Sequence, residues 1–395
     1  MAKPVLSLIP ATQGSKLYSV LPENGVGDFI FTRSSEATRI NKDGFIKKVG
    51  IDSSRLSYPS NNGVISGCPN HLLEPSRTNL IPYSEDFTQW SKSSGTSVVP
   101  SQVISPDEKL GGDKVIFSSA NQTIEQSVPI NLNAHTVSVY IKGTEGETIR
   151  LVASGTGSDF TLTGKWQRVE LTRASAVTAG NFIISTFGGV TAREVFLWGA
   201  QLEEGGYATS YIPNYGSVAG IIRASDAAFN SGDATIFNSL EGTLMVEIFA
   251  LSNDSTIRSI TISGSTSNDV ISIGYDTPSN SLTAFLFNGA YQSIFTTEIY
   301  NITKSLKVAF AYKLNEFKLY VNGLQVGSTG VSGAVASGLD TLSFDDASGS
   351  GNFYGSVRQL KYFDSALTSL ELEELTDFGG ATDESLLQNE LQTTI

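Results

Sequence analysis

The chain has one cysteine, Cys68, and two histidines, His71 and His135, in 395 residues. A single thiol excludes an intrachain disulfide. Two imidazoles and one thiol cannot build a structural zinc site of the Cys/His type. Charge is scarce at 16% of residues and unbalanced, with 26 Lys and Arg against 39 Asp and Glu. The net charge of −13 repels phosphate backbones and anionic headgroups, so neither nucleic acid nor a membrane surface is an expected partner. The lysines and arginine at Lys47, Lys48 and Arg55 form only a weak basic cluster. No apolar run approaches the roughly 20 residues needed to span a bilayer as a helix. The opening "MAKPVLSLIPATQG" is broken by Pro10 too early to serve as a signal peptide. The composition fits a protein made in a reducing cytoplasm.

What the chain does have is Gly, Ser, Thr and Asn, with 21 Phe and 14 Tyr. That mixture suits short strands joined by tight turns and predicts an all-β fold. Residues 1–78 carry few periodic segments and read as an extended, β-rich arm for attachment or oligomerisation. Residues 79–213 read as an antiparallel sandwich. In "HTVSVYIKG" the alternation sets Val137, Val139 and Ile141 on one face and Thr136, Ser138 and Tyr140 on the other. Residues 214–238 read as a connector rich in small residues. Residues 239–376 read as a second antiparallel sandwich, in tandem with the first. Its clearest signal is "FKLYVNGLQVG", where Phe317, Leu319 and Val321 alternate before an Asn322-Gly323 hairpin turn. A capping box at Thr368 and Glu371, flanked by Leu367 and Leu372, predicts a short helix. Residues 377–395 form an acidic tail.

Several segments together resemble structural proteins of phage virions. They are "FTRSSEATRINKDGFIKKV", "HLLEPSRTNLIPYSEDFTQW", the closing "VFLWGAQLEEGGYATSYIPNYGS" and the connector "IIRASDAA". The first sandwich is similar to jelly-roll carbohydrate-binding modules. The second, with "KVAFAYKLNEFKLYVNGLQVGS" and "LKYFDSALTSLELEELT", is similar to concanavalin A-like (laminin G-type) lectin domains. The resemblance implies a fibre or appendage of head or tail on the virion surface, attached to other virion proteins through the N-terminal arm. It also implies a homo-oligomer, a trimer by analogy with fibres, with host surface glycan as its ligand. A depolymerase and a spacer without ligand are the alternatives.

Chemistry is sparse. Cys68 and His71 lie three residues apart, and the plain expectation is a buried turn thiol beside a surface imidazole. A glycosidase needs two carboxylates across a cleft. The adjacent pairs Glu85-Asp86, Glu203-Glu204 and Asp345-Asp346 point to opposite faces if they lie on strands. A non-enzymatic protein is therefore expected, without a required cofactor. Calcium is the cation considered, with Asp345, Asp346 and Asn352 in "SFDDASGSGNF" as ligands. Sugar binding calls for exposed aromatic faces with polar neighbours. Trp90, Tyr291 and Tyr354 are the candidates, with a core role for Trp90 favoured over sugar contact. Trp166 and Trp198 lie in strands and are expected in the core.

Overall fold

The computed structural model describes residues 2–13, 16–61, 64–188, 191–264 and 268–378. The acidic tail expected over 377–395 falls outside them beyond residue 378. The regular elements of the described residues are strands, apart from a 3-10 turn at Phe87–Gln89 and one α-helix over Ser369–Thr376.

Strands from 91 to 204 form two five-stranded antiparallel sheets. Thr96–Ile104, Leu110–Phe117, Arg193–Glu204, His135–Gly143 and Gln167–Arg173 lie side by side in that order. Ser91–Lys92, Thr123–Val128, Gly180–Ser185, Thr148–Ala153 and Thr156–Thr161 make the other sheet. The chain passes repeatedly between the sheets, which gives the jelly-roll order. The inward faces supply one apolar core that includes Phe87, Trp90, Val137, Val139 and Ile141. The alternation read in His135–Gly143 therefore holds.

The second sandwich pairs a five-stranded sheet, running from Tyr291–Glu298 to Leu339–Ser343, with an eleven-stranded one. In the larger sheet Leu6–Gln13 pairs with Gly355–Phe363, and Phe29–Thr32 pairs with Ala227–Phe229. Asn70–Leu73 also pairs with Gly355–Phe363. Leu6, Leu8, Leu17, Phe29, Phe31 and Leu73 enter the same core as Leu244, Phe310 and Leu360. The arm expected over 1–78 is thus corrected. Its apolar residues are too numerous to stay solvated, and they complete a sheet whose other strands begin only at Ala227. The connector expected over 214–238 is corrected in part, because Ala228 and Phe237 belong to that core.

Arg77–Asn79 pairs antiparallel with Ile221–Arg223. The chain leaves the second sandwich at this two-stranded stem and returns through it. The jelly roll is therefore an insertion within the second sandwich, not a module in tandem with it. The predicted hairpin turn has Asn322 at φ 50° and Gly323 at φ 84°, between the paired Val321 and Leu324. The helix carries both halves of the Thr368/Glu371 capping box, with Leu372 and Leu375 buried.

Candidate functional site

A buried charge cluster sits where the N-terminal segment, the end of the jelly roll and the returning chain meet. Arg55 donates to Glu74 Oε2 (2.6 Å), to Ser210 Oγ (2.8 Å) and to Asp226. Arg33 donates to Asp226 Oδ1 (3.1 Å), and Arg223 donates to Glu74. Ser210 closes the set through its N–H and hydroxyl on Glu74, at 2.7 and 2.6 Å. All five charged side chains are at most 3% exposed. Burial alone would raise the Glu74 pKa, but Arg223 and Arg55 outweigh it and hold the carboxyl well below the usual carboxylate range. The terminal guanidinium nitrogens of all three arginines donate to protein, and the Nε atoms of Arg55 and Arg223 are buried without a partner, so the cluster locks segments together and is closed to a ligand.

His71 lies against this cluster, fully buried between Phe31 and Phe344, at ring-centroid distances of 6.0 and 6.3 Å. Burial lowers its pKa to about 4, so the ring is neutral near pH 7. Cys68 is exposed. The expectation of a buried thiol beside a surface imidazole is reversed, because His71 lies on a strand facing the core while Cys68 stays in the turn before it. The two cannot act as a nucleophile pair. His135 is also buried, with its ring nitrogens 2.8 Å from Asn133 O and 2.8 Å from Ser154 Oγ.

The three aromatic candidates occupy separate environments. Trp90 is 1% exposed, packed between Phe87 and Phe182, with its Nε1–H donated to Tyr83 O (2.9 Å). Its role as a sugar edge is corrected: both ring faces are covered by the jelly-roll core. Tyr354 is half-buried, and burial raises its hydroxyl pKa despite a hydrogen bond with Ser225. It borders the charge cluster. Tyr291 is 59% exposed on an edge strand of the second sandwich. Its ring centroid lies 5.3 Å from those of both Phe285 and Phe287, which are half-buried. Leu282, Ala284 and Leu286 of the adjacent strand point into the core, so Phe285 and Phe287 point out. Ile294, 55% exposed and paired with Phe285, extends the patch.

In the loop Asp345–Asn352 one oxygen of each candidate carboxylate is engaged within the loop itself. Asp346 Oδ1 accepts from the Ser348 N–H (3.0 Å), the Ser348 hydroxyl (2.7 Å) and the Ser350 N–H (3.0 Å). Asp345 Oδ1 accepts from the Ala347 N–H (2.8 Å). Those oxygens face donors and close the loop on itself. Asn352 bridges to Ser259. Among the described residues no three His, Cys, Asp or Glu side chains gather as a metal site.

Adjacent carboxylates do diverge: Glu203 is fully buried under Thr209 and Gln201, while Glu204 is exposed. The carboxylates that share a cavity are distant in sequence. Glu85 and Asp107 both line a space of about 210 Å³ with Trp198, Tyr211 and Tyr215. Burial raises the Glu85 pKa, although Tyr211 donates to it (2.8 Å). Burial would raise Asp107 too, but hydrogen bonds from Ser105 and Lys109 bring it below its ordinary value. Trp198 is buried as expected, yet outside the sandwich core. It lies on the outer face of a jelly-roll sheet, against Tyr211 and against Ile46 of a hairpin in which Ala37–Ile40 pairs with Ile46–Val49. Trp166 is half-buried on that same face, which strand position alone could not reveal.

Residues 224–373 match the model of the concanavalin A-like lectin/glucanases superfamily. Over that segment the second sandwich is similar to lectin-type domains of the laminin G kind. The matched segment omits the strands before residue 74 that the structure places in the same sheet. No curated protein matches the chain. Among solved structures, the chain is similar to the CBM40 module of a Ruminococcus gnavus IT-sialidase, at 16% identity and a TM-score of 0.31, over 37% of this chain and 92% of that one. Domains LG4-5 of the mouse laminin alpha1 chain align at 13% identity and a TM-score of 0.27, over 80% and 97%. A Trypanosoma rangeli sialidase aligns at 12% identity and 0.31, over 92% and 82%. Likenesses this distant carry no inference about activity.

Proposed function

We propose that the chain is a phage virion structural protein, a fibre or appendage of head or tail, that displays lectin-type modules and holds host surface glycan without cleaving it. The observation that carries the glycan reading is the solvent-facing patch of Tyr291, Phe285, Phe287 and Ile294 on a lectin-type sandwich. Exposed aromatic faces of this kind suit pyranose rings. The virion reading is supported by the motifs around 31–49, 71–90 and 195–217. Residues 1–78 would then meet other virion proteins as a folded surface rather than as a free arm. An oligomer, a trimer as in fibres, would turn weak sites into useful avidity.

A glycan array probed with bead-displayed protein tests this. Retention is expected, and Tyr291→Ala should reduce it about tenfold with an unchanged melting temperature. Absence of any hit at multivalent display would favour a spacer without ligand. A hydrolase remains the second reading because Glu85 and Asp107 share a cavity with their pKa values pushed apart. Release of reducing sugar from host capsule, abolished in Glu85→Gln, would establish it. No release is expected.

A further inference from the structure

The outer face of the jelly-roll sheet that bears Ser138, Tyr140 and Lys142 is covered over only part of its length. The hairpin Ala37–Val49 seals the Trp198 end. Beyond it a cavity of about 530 Å³ opens between the hairpin tip and the loop before Gln167. This lies within the roughly 300–1,000 Å³ of small-ligand sites.

The walls are held rigidly. At the hairpin tip Asn41 Oδ1 accepts from the Asp43 N–H (3.0 Å) and the Phe45 N–H (2.8 Å). The Ile46 N–H donates to Pro106 O (2.8 Å), and Lys47 pairs with Glu108, which docks the hairpin on the jelly roll. Trp166 donates its Nε1–H to Ile104 O (2.8 Å). Its benzo edge lies so close to Gly112 that a Cβ there would come within 3.0 Å of Trp166 Cζ2. Trp166, Tyr140 and Phe45 all line the cavity and all stay partly exposed.

The charge of this cavity runs against that of the chain. Lys142, Lys165 and Arg168 line it, and Asp43 is its one carboxylate. Asp43 is engaged by Lys42 (2.8 Å), and Glu145 stands behind Gly164. Arg168 gives its terminal nitrogens to Thr209 O (2.6 Å) and Ser138 Oγ (3.0 Å), and its Nε is buried without a partner, so it contributes only its field. Lys142 and Lys165 form no ion pair among the described residues. Two unpaired ammonium groups beside a fixed indole define the chemistry of an anionic ring.

We propose that this cleft is a second saccharide site, separate from the Tyr291 patch, and that it takes a carboxylated sugar. The pyranose stacks on Trp166, and its carboxylate lies within reach of Lys142 and Lys165. Attraction between exposed charges is screened by salt, so binding weakens as ionic strength rises.

Calorimetric titration of the full chain tests the site, with oligogalacturonate and oligosialate as uronic and ulosonic probes and maltohexaose as the neutral one. At least one carboxylated probe binds, more weakly in 500 mM than in 50 mM salt, while maltohexaose does not. Trp166→Ala loses about tenfold in affinity. The surface double variant Lys142→Gln/Lys165→Gln, which leaves the packing intact, loses roughly threefold per charge. Tyr291→Ala leaves this binding unchanged, which separates failure here from failure of the lectin-patch reading. The proposal is overturned if neither carboxylated probe binds at millimolar concentration, if maltohexaose binds equally well, or if the lysine double variant binds as the parent does.

Discussion

Glu74 shows how much a single side chain can hold together. It answers to Arg55 and Arg223 and to both polar groups of Ser210. Removing one partner of a buried pair leaves an uncompensated charge, so Glu74→Gln should cost about 3–5 kcal/mol in urea unfolding. The pH dependence has a definite sign. The folded pKa of Glu74 is depressed below its ordinary 4.5. Its contribution is complete above that pH and is lost as pH falls further. His71 acts earlier, because its pKa drops from 6.5 to about 4 on folding. Below pH 6.5 the unfolded chain gains a proton that the folded one refuses. Stability should therefore fall by on the order of 3 kcal/mol between pH 6.5 and 4. In His71→Phe, whose ring would sit between Phe31 and Phe344, the urea midpoint should stay nearly flat over that range. None of this was legible at the level of the motifs. "FTRSSEATRI" and "IIRASDAA" mark a resemblance, but Glu74 and Asp226, joined in one cluster, stand 152 positions apart.

At the scale of elements, local chemistry was a good guide wherever a strand had one solvent face or a turn had a forced geometry. Gly323 needs a left-handed backbone at φ 84°. Gly323→Ala should cost about 1–2 kcal/mol in thermal or urea unfolding, although a new Cβ would meet only ordinary contacts, 3.7 Å from Asp377 Cα and Cβ. The same reading missed Tyr291–Glu298, an edge strand whose residues are all exposed or half-buried, so it shows no alternation between core and solvent. It also assigned Trp166 to the core. Period two tells which residues share a face, but not whether a second layer covers that face. In His135–Gly143 both faces are largely buried, because the hairpin Ala37–Val49 and the segment around Tyr211 lie over the outer one. The cleft exists where that cover stops.

For the whole molecule, the order of strands along the chain is a poor guide to the order in the sheet. Leu6 pairs with Tyr362, and no local pattern could announce it. A fragment spanning 224–378, the family match carried just past the end of the helix and its cap, lacks Leu6, Leu8, Leu17, Phe29, Phe31 and Leu73 of its own core. It should lose near-UV circular dichroism and bind a hydrophobic dye, whereas the full chain should melt cooperatively. An independent fold for that fragment would show that the N-terminal strands are an accessory layer.

The two-stranded stem has a mechanical consequence. Arg77–Asn79 and Ile221–Arg223 run antiparallel, and both enter the jelly roll from the same end. If the second sandwich is anchored and the jelly roll is pulled by what it grips, tension arrives at the stem as peeling, one rung after another, rather than as shear across all rungs at once. The last rung is Arg77 with Arg223, and Arg223 is fastened to Glu74. The ion cluster is the rivet at the base of a hinge seam, and it decides whether a tug on the inserted module stops there or runs on into the sandwich beneath.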